Sequence, residues 1–592
     1  MKKKIHIFVK TIQLVYEASP SRMIIILIFS FVLGAILPIA TYFWGLFIDG
    51  IPADIADYDI RQAILFLTIN AILLLAYEVF QRINRYNKDM QSDAINLLIT
   101  NKVFKKAINL NMEQYDDPTI YNQINKINSE ALGKSVSSIN MCIELEENVV
   151  TLIGLMIIIF SYNPIIAFIL LLIFVPVLAN DIKINSKMYN IYESRIEHLR
   201  LVFDIKSLLI KYENVKEIKT YQTGENLVKR IENTYTKYLC EDKKVRKNNV
   251  QKQSFFDSIE HIFKLLIGIF IISDASKKKI SVGNIVIYIN AIESIIRTIG
   301  RIELTLADIY NDSLYMESLF KFLQLEEEQE GGKKEIKEIE SIKLRNLYFK
   351  YPKDENYILK DINLDLQPQR SYLIAGLNGA GKTTLIKIIC GIYKPSKGVM
   401  LINGIDSKEI DMKSYRKLFA TVYQDFIHYP FNVKENIVYG DIEKLQNHAK
   451  IEKAAERAGA LSYIHELPQK FETQLKNEWT RGTELSIGQW QKIAIARCFY
   501  ADSQIVILDE PTASLDAISE SEIYDKIEEF LKKTTCIVIS HRLSVAKLVD
   551  QIIVIDDHKI AEEGDFYDLM SYDSQFKSMY SLQADKYDKV EQ

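Results

Sequence analysis

A glycine-rich loop carries the clearest chemical signal in the sequence. An apolar run from Ser371 to Ala375 precedes the loop, and a helix is predicted from Thr384 to Cys390. The loop itself reads Gly376, Leu377, Asn378, Gly379, Ala380, Gly381, Lys382, Thr383. Glycines let backbone N–H groups converge on phosphate oxygens, and the start of a helix adds favourable partial charge. This strand–loop–helix pattern predicts that the loop and Thr384 bind ATP.

Two side chains of the loop have predicted roles of their own. The ammonium group of Lys382 would reach the β- and γ-phosphates, and the hydroxyl of Thr383 would bind Mg²⁺. A second apolar run, Gln504 to Leu508, ends in Asp509 and Glu510. A strand of this kind behind a phosphate-binding loop places Asp509 in the Mg²⁺ shell and Glu510 where a general base would activate water. The chemistry expected is therefore hydrolysis of ATP.

The elements that hold these residues belong to only part of the 592-residue chain. Short apolar strands alternate with helices over 342–592, which predicts an α/β domain. Residues 1–325 are rich in long apolar runs and predict an α-helical transmembrane domain, and the charged, glycine-containing stretch 326–341 predicts a linker. The net charge of -4 argues against a nucleic-acid partner. The five cysteines lack the paired spacing of a disulfide framework or a zinc site.

Six apolar stretches predict six transmembrane spans, because about 20 apolar residues cross a bilayer. They are Met23–Ile48, Ala63–Phe80, Val149–Phe160, Ile165–Leu178, Phe263–Ile272 and Ile285–Ile296. The first residues carry several charges and predict an amphipathic helix at the membrane surface rather than a signal peptide. Two long polar stretches, Gln81–Met141 and Asp181–Phe255, predict helices on the cytosolic side, where their lysines and arginines agree with the positive-inside rule.

Ionisable residues near the last two spans predict ion pairs or a polar path. Glu260 and Lys264 are four residues apart, as are Glu293 and Arg297, so each pair shares one helix face. The pairs either neutralise each other near the interface or line a cavity that selects a substrate with charged groups.

At this point the whole chain resembles the ATP-binding-cassette family. Its signature motif is present as Leu485-Ser486-Ile487-Gly488-Gln489, in which Ile487 replaces the usual glycine. The resemblance implies a dimer in which Ser486, Gly488 and Gln489 contact the γ-phosphate held by the opposite subunit. It also implies roles for three further residues: Gln424 links Mg²⁺ and the attacking water to the membrane domain, Asp516 in Ser514-Leu515-Asp516 bridges the two sites, and His541 contacts the γ-phosphate.

The resemblance extends to adenine binding and to the membrane domain. Tyr351 matches the aromatic residue on which adenine stacks, with Tyr348 as the alternative. Tyr115–Tyr121 and Lys216–Tyr221 look like the short coupling helices that family exporters dock into the ATPase, although either could be a plain turn.

The order of these parts is that of an exporter half-transporter in the bacterial cytoplasmic membrane. The implied partners are a second copy of the chain, membrane lipid and an exported substrate. The run Gln489-Trp490-Gln491-Lys492-Ile493-Ala494 resembles exporters of lantibiotic or bacteriocin peptides, and about twenty residues before the first span are too few for a leader peptidase. A lipid or multidrug exporter is the alternative. A DNA-repair ATPase would lack the spans, and a channel or sensor would often lack Glu510 or His541.

Overall fold

The computed structural model describes residues 2–51, 60–127, 132–328, 332–444, 447–511 and 534–588. Its contacts divide the chain into two compact units. The first unit comprises Met1–Ile108 and Asn122–Leu325, and the second comprises Asn109–Tyr121 and Glu326–Gln592. A short segment from the N-terminal half therefore belongs with the C-terminal unit.

The first unit is helical throughout its described residues, apart from short connections. Its helices are α1 (Lys2–Ala18), α2 (Pro20–Asp49), α3 (Ile60–Ile108), α6 (Leu132–Tyr162), α7 (Pro164–Ser194), α8 (Ile196–Ile210), α9 (Tyr212–Thr220), α10 (Gly224–Ser276) and α11 (Val282–Leu323). The segment between α3 and α6 contains α4 (Met112–Tyr115) and α5 (Pro118–Lys126). Asn163 ends the tight turn before α7, because its side chain accepts a 2.9 Å hydrogen bond from the Ile165 amide and Pro164 starts the helix.

Four described helical segments are long and apolar enough to cross a membrane. They are Pro20–Asp49, Arg61–Ile108, Pro164–Ser194 and Val282–Ile309. They contain the first, second, fourth and sixth predicted spans. The third and fifth predicted spans lie within α6 and α10, so the count of six spans stays a prediction.

The long polar stretches form helices that continue from the apolar ones. Helix α3 has 49 residues and is about 75 Å long at 1.5 Å per residue, well beyond a bilayer core of about 30 Å. Helix α10 has 53 residues and also carries its apolar segment on the end of a polar one. Each long helix thus joins an apolar segment to a polar extension.

The charged residues near the last two spans pair across helices. Lys264 of α10 lies 3.4 Å from the carboxylate of Glu293 in α11. The sequence predicted pairs within each helix, Glu260 with Lys264 and Glu293 with Arg297. In the structure α10 and α11 pack against each other. This packing places Lys264 next to Glu293 on the neighbouring helix, a contact that spacing within one helix does not indicate.

Within its described residues, the second unit contains two β-sheets. The strands are β1 (Ile342–Phe349), β2 (Leu359–Leu366), β3 (Ser371–Gly376), β4 (Lys397–Ile402), β5 (Ile405–Asp406), β6 (Phe419–Val422), β7 (Ile505–Asp509), β8 (Thr535–Ile539), β9 (Gln551–Asp556) and β10 (Lys559–Gly564). The helices are α12 (Lys382–Ile389), α13 (Met412–Arg416), α14 (Val433–Val438), α15 (His448–Arg457), α16 (Leu461–Glu466), α17 (Ile487–Ala501), α18 (Phe566–Ser571) and α19 (Gln575–Asp588). An antiparallel sheet has the order β2-β1-β4-β5, and a six-stranded sheet has the order β10-β9-β3-β8-β7-β6.

The six-stranded sheet determines where the functional residues meet. Strands β9, β3, β8, β7 and β6 run parallel, and only β10 is antiparallel. All residues of β3, β7 and β8 are buried, as expected for continuous apolar strands covered on both faces. Because parallel strands share one carboxyl-terminal edge, the loops after β3, β8, β7 and β6 open side by side.

Candidate active site

The loop after β3 has a backbone that only glycine accommodates without strain. Gly376 has φ +147° and Gly381 has φ +103°. A Cβ atom on Gly376 would lie 2.3 Å from the carbonyl oxygen of Ile555, and one on Gly381 would lie 2.8 Å from that of Ile358. The loop therefore needs glycine at both positions for conformation and for space. Helix α12 begins directly after it, at Lys382.

Lys382 is turned inward onto the loop. Its side chain is buried, and its Nζ donates hydrogen bonds of 2.9 Å to the carbonyl oxygens of Gly376 and Leu377. Burial lowers the pKa of Lys382, an effect that the nearby carboxylates of Glu510 and Asp509 oppose. The ammonium group thus lies within the loop that the sequence predicts to hold phosphates.

Thr383 and Asp509 come together as the sequence predicts, in a geometry that suits a hard cation. The Thr383 hydroxyl donates a 3.1 Å hydrogen bond to Oδ2 of Asp509, and Oδ1 of Asp509 is buried without a hydrogen-bond partner in the described part of the chain. Burial raises the pKa of Asp509 to about 6, against the effect of the Thr383 hydrogen bond. A desolvated carboxylate with a free oxygen beside a hydroxyl is a donor set that fits Mg²⁺.

Glu510, directly after β7, is held by three side chains. His541 Nε2 lies 2.8 Å from its Oε1, and Gln424 Nε2 donates a 3.1 Å hydrogen bond to its Oε2. Gln491 Nε2 donates a 3.1 Å hydrogen bond to its backbone oxygen. Glu510 also has φ +51°, a left-handed conformation that is uncommon for this residue type. Glu510, Gln424 and His541 thus meet at one point on the sheet edge.

Gln491 was not among the predicted site residues. It is 3 % exposed and lies in α17 among apolar neighbours. The sequence does contain one indication of its role, a polar residue within the run that follows the signature motif. A buried amide needs hydrogen-bond partners, so such a residue is expected to contact other polar groups.

The signature residues form the start of α17. Ser486 caps the helix: its Oγ accepts a 3.2 Å hydrogen bond from the Gln489 amide, and its own amide donates to Gln489 Oε1 at 2.9 Å. Ile487 is 64 % exposed. Within the described residues, Ser486, Gly488 and Gln489 make no hydrogen bond to the loop Gly376–Thr384 of the same chain. Asp516, with Ser514 and Leu515, lies outside the described residues.

Tyr351, the residue predicted to stack on adenine, contacts the first turn of α12 and two other aromatic rings. Its hydroxyl shares a 3.1 Å hydrogen bond with the hydroxyl of Thr384 in α12, and its ring is partly buried. It packs edge-on against Phe349 and Tyr393, with ring centroids 5.2 Å and 5.4 Å away. Tyr393 was another residue that the sequence did not single out.

Segment Asn109–Tyr121 contacts the same region. The Tyr393 hydroxyl donates a 2.6 Å hydrogen bond to Asp116, and Lys353 lies 2.7 Å from Asp117. The predicted single helix at Tyr115–Tyr121 is instead broken at Asp116 and Asp117, because Pro118 starts α5. The other proposed coupling segment, Lys216–Tyr221, coincides closely with α9 in the first unit, and its docking stays a prediction.

Comparison with known proteins identifies relatives over nearly the whole length. The family model described as ABC transporter matches residues 359–513. The subtilin transport ATP-binding protein SpaT of Bacillus subtilis is 32% identical over 96% of this chain and 93% of its own length. The nisin transport ATP-binding protein NisT of Lactococcus lactis subsp. lactis is 28% identical over 96% of this chain and 95% of its own. An ATP-dependent lipid A-core flippase of Pectobacterium atrosepticum is 26% identical over 88% of this chain and 89% of its own.

The fold agrees with these relationships. A solved structure described as a bacterial Atm1-family ABC exporter with ATP bound superposes with a TM-score of 0.81 at 18% identity, covering 96% of this chain and 99% of that one. The predicted architecture, a helical membrane domain fused to an α/β ATPase, is confirmed. ATP binding by the C-terminal domain follows from the match to the ABC transporter family model. This chain belongs to the ABC transporter family, as a membrane exporter whose cytosolic domain couples ATP hydrolysis to transport.

Proposed function

We propose that this chain forms a homodimer that exports a peptide through two equivalent Mg²⁺-dependent ATP sites. In each site Lys382 and the amides of Gly376–Thr384 hold the phosphates, and Tyr351 stacks on adenine. Thr383, Asp509 and Gln424 provide oxygen ligands for Mg²⁺, which supplies charge neutralisation at the phosphates when bound.

Glu510 is the proposed general base of hydrolysis. The carboxylate is fixed by Gln424 and His541, so it is oriented before a water molecule arrives. A general base must be within hydrogen-bond reach of the proton that it takes, and fixed orientation favours that geometry. His541 has a further proposed role at the γ-phosphate, to which it would turn from Glu510.

A second copy of the chain would complete each site. The signature residues Ser486, Gly488 and Gln489 do not reach the phosphate-binding loop of their own chain within the described residues. One chain contains both the phosphate-binding loop and the signature residues that a composite site needs. Two identical subunits could therefore form two complete sites. Asp516 would bridge the two sites of that dimer.

A charged cavity in the first unit is the observation that carries the peptide proposal. It has a volume of about 560 Å³ and lies among α2, α3, α6 and α11, at the ends that the sequence predicts to be cytosolic. Three cations, four carboxylates and four side-chain amides line it: Arg85, Lys88, Arg301, Asp89, Glu144, Glu147, Asp308, Gln81, Asn84, Asn140 and Asn148. Its lining has a formal charge of 3 − 4 = −1.

This lining suits a polypeptide better than a lipid headgroup. A peptide offers backbone amides together with side chains of both signs, which can pair with all three classes of group in the cavity. A headgroup with several phosphates would meet more carboxylates than cations, which is unfavourable. The relatives named for subtilin and nisin transport support the same conclusion, since they match nearly the whole chain.

Lipid export is the second candidate, and one cleft favours it. An apolar cleft of about 410 Å³ lies between α2 and α6, lined by residues such as Phe31, Pro38 and Ile157. It could hold an acyl chain, and a relative named as a lipid A-core flippase matches most of the chain.

The test uses the purified protein in lipid vesicles, with synthetic 30-residue peptides as probes. One peptide alternates lysine and glutamate among polar residues, and the other contains only serine, glycine and asparagine. We expect the mixed-charge peptide to stimulate ATP hydrolysis and to accumulate across the membrane. Failure of both peptides, together with ATP-dependent flipping of a fluorescent phospholipid, would refute peptide export.

Variants of residues that line the charged cavity test whether the cavity is responsible for the stimulation by the mixed-charge peptide. We expect Lys88→Gln with Glu147→Gln to raise the half-stimulating peptide concentration by about tenfold, the equivalent of one lost charged contact. Lys105→Gln is the matched control, because Lys105 lies on the same helix α3 but outside the cavity. Equal responses of the double variant and the control would remove the cavity from the substrate path.

A further inference from the structure

Tyr393 lies where the Asn109–Tyr121 segment meets the nucleotide-binding region. It follows α12 by four residues, and its side chain is 2 % exposed. Its hydroxyl donates a 2.6 Å hydrogen bond to Oδ2 of Asp116. A buried hydroxyl that loses its acceptor is left without a hydrogen bond, which is unfavourable, so this contact constrains the position of Asp116.

The ring of Tyr393 continues the connection toward the nucleotide. It packs perpendicular to Tyr351, with centroids 5.4 Å apart and an interplanar angle of 88°. The Tyr351 hydroxyl in turn shares a hydrogen bond with the hydroxyl of Thr384, the residue next to the proposed Mg²⁺ ligand Thr383. Contacts therefore run without a gap from Asp116 through Tyr393 and Tyr351 to α12.

A second contact holds the segment at a residue close to Tyr351 in the chain. Lys353 lies 2.7 Å from Asp117, the residue after Asp116. The hydrogen bond from Lys353 and two from Thr119 lower the pKa of Asp117 to about 2. Burial and the hydrogen bond to Asp116 raise the pKa of Tyr393, which keeps its hydroxyl a proton donor. Two adjacent carboxylates of the segment, Asp116 and Asp117, are thus attached to Tyr393, which packs against Tyr351, and to Lys353, which follows Tyr351 by two residues.

We propose that Tyr393 is a positioning residue that transmits the presence of adenine on Tyr351 to the segment Asn109–Tyr121 through its hydrogen bond to Asp116. This inference rests on the proposed stacking of adenine on Tyr351 and goes beyond it. Adenine on Tyr351 fixes that ring, the perpendicular packing fixes Tyr393, and the hydroxyl of Tyr393 holds Asp116. The segment follows α3 directly in the chain and leads into α5.

Hydrogen exchange of the full-length protein tests the proposal without knowledge of the substrate. The backbone amides of residues 112–120 are followed without nucleotide, with Mg²⁺–ATP and with Mg²⁺–tripolyphosphate, which offers phosphates but no adenine. We expect ATP to slow exchange in this segment at least fivefold in the unmodified protein, and tripolyphosphate to slow it less than twofold. Equal protection by the two ligands would overturn the role of adenine.

Tyr393→Phe is the decisive variant, because it keeps the ring and removes only the hydroxyl. We expect the protection by ATP to fall below twofold, while the KM for ATP and the basal kcat stay within twofold. Asp116→Asn, which keeps an acceptor, should retain the protection, and Asp116→Ala should lose it. Undiminished protection in both Tyr393→Phe and Asp116→Ala refutes the proposal.

Two further variants separate this inference from the proposed adenine site. Tyr580→Phe is the matched control, because Tyr580 belongs to the same unit and its hydroxyl makes no hydrogen bond within the described residues. It should leave the protection unchanged, and a loss of protection there would count against a specific role of Tyr393. Unchanged ATP affinity in Tyr351→Ala would refute adenine stacking on Tyr351. The exchange protection in Tyr393→Phe tests only the hydrogen bond between Tyr393 and Asp116.

Discussion

His541 Nε2 lies 2.8 Å from Oε1 of Glu510, across the boundary between two neighbouring strands of the ATPase sheet. The histidine follows β8 and the glutamate follows β7, and Asp509 pairs with Ile539 in the parallel register of these strands. The contact is therefore set by strand pairing rather than by loop conformation. Glu510 itself has a left-handed backbone conformation, with φ +51°, which is unfavourable for a residue other than glycine.

Replacing Glu510 with glutamine should stop hydrolysis and leave nucleotide bound. The amide keeps the shape of the side chain but cannot accept a proton, and loss of a general base costs about 10²–10⁴-fold in rate. The measurement is steady-state ATPase activity together with ATP binding in purified protein. Glu466→Gln, at an exposed position on α16, is the control. Unchanged turnover of Glu510→Gln would contradict the assignment.

Two glycines of the phosphate-binding loop should respond differently to alanine. At Gly376 a Cβ atom would lie 2.3 Å from a backbone oxygen, whereas at Gly379, with φ +80°, it would meet nothing within 4 Å. Left-handed backbone alone costs an alanine about 1–2 kcal/mol. We expect Gly376→Ala to lower the nucleotide-free Tm clearly more than Gly379→Ala does. Equal shifts would show that the loop relaxes around the clash.

Mixed dimers should show that each ATP site uses two chains. Lys382→Ala and Ser486→Arg should each abolish activity alone, because both sites of each variant dimer are damaged. In a mixed dimer one site contains an intact Lys382 and an intact Ser486 from different chains, so we expect activity to return in part. A protein that stays monomeric with ATP and the Glu510→Gln change would contradict the dimer.

The ion pair between Lys264 and Glu293 should stabilise the contact between α10 and α11. Exchanging the two residues, Lys264→Glu with Glu293→Lys, should preserve stability and transport. Glu293→Lys alone places two cations together and should cost roughly 1 kcal/mol, given the size of polar contacts between membrane helices. Thermal unfolding in detergent reports the difference. If the exchange is as destabilising as the single change, the pair is not formed.

A role of the same charges in substrate selection is tested by a different double change. Glu293→Leu with Arg297→Met keeps α11 apolar and removes both charges from that helix. We expect substrate-stimulated ATPase activity to fall if these residues face the transport path. Unchanged stimulation and export would restrict Glu293 to its structural contact with Lys264.

The sequence by itself determined the chemistry of the ATPase domain. Gly376–Thr383 required a strand before it and a helix after it, and the structure has β3 and α12 in those places. Asp509 and Glu510 end an apolar run that predicts a buried strand behind the phosphate-binding loop, and the structure has β7 ending at Asp509. Such local patterns are readable because spacing along the chain sets backbone conformation and the positions of neighbouring side chains.

Only the tertiary structure decided which distant residues meet. Nothing in the spacing of Tyr393 and Asp116, 277 residues apart, indicates their hydrogen bond. Helical spacing likewise pairs Lys264 with Glu260, whereas the structure pairs it with Glu293 of the neighbouring helix. Gln491 likewise forms its hydrogen bond to the Glu510 backbone only because α17 lies close to the end of β7. The physical reason is that the free energy of such contacts depends on burial and on the geometry of two elements together, and a linear pattern records neither.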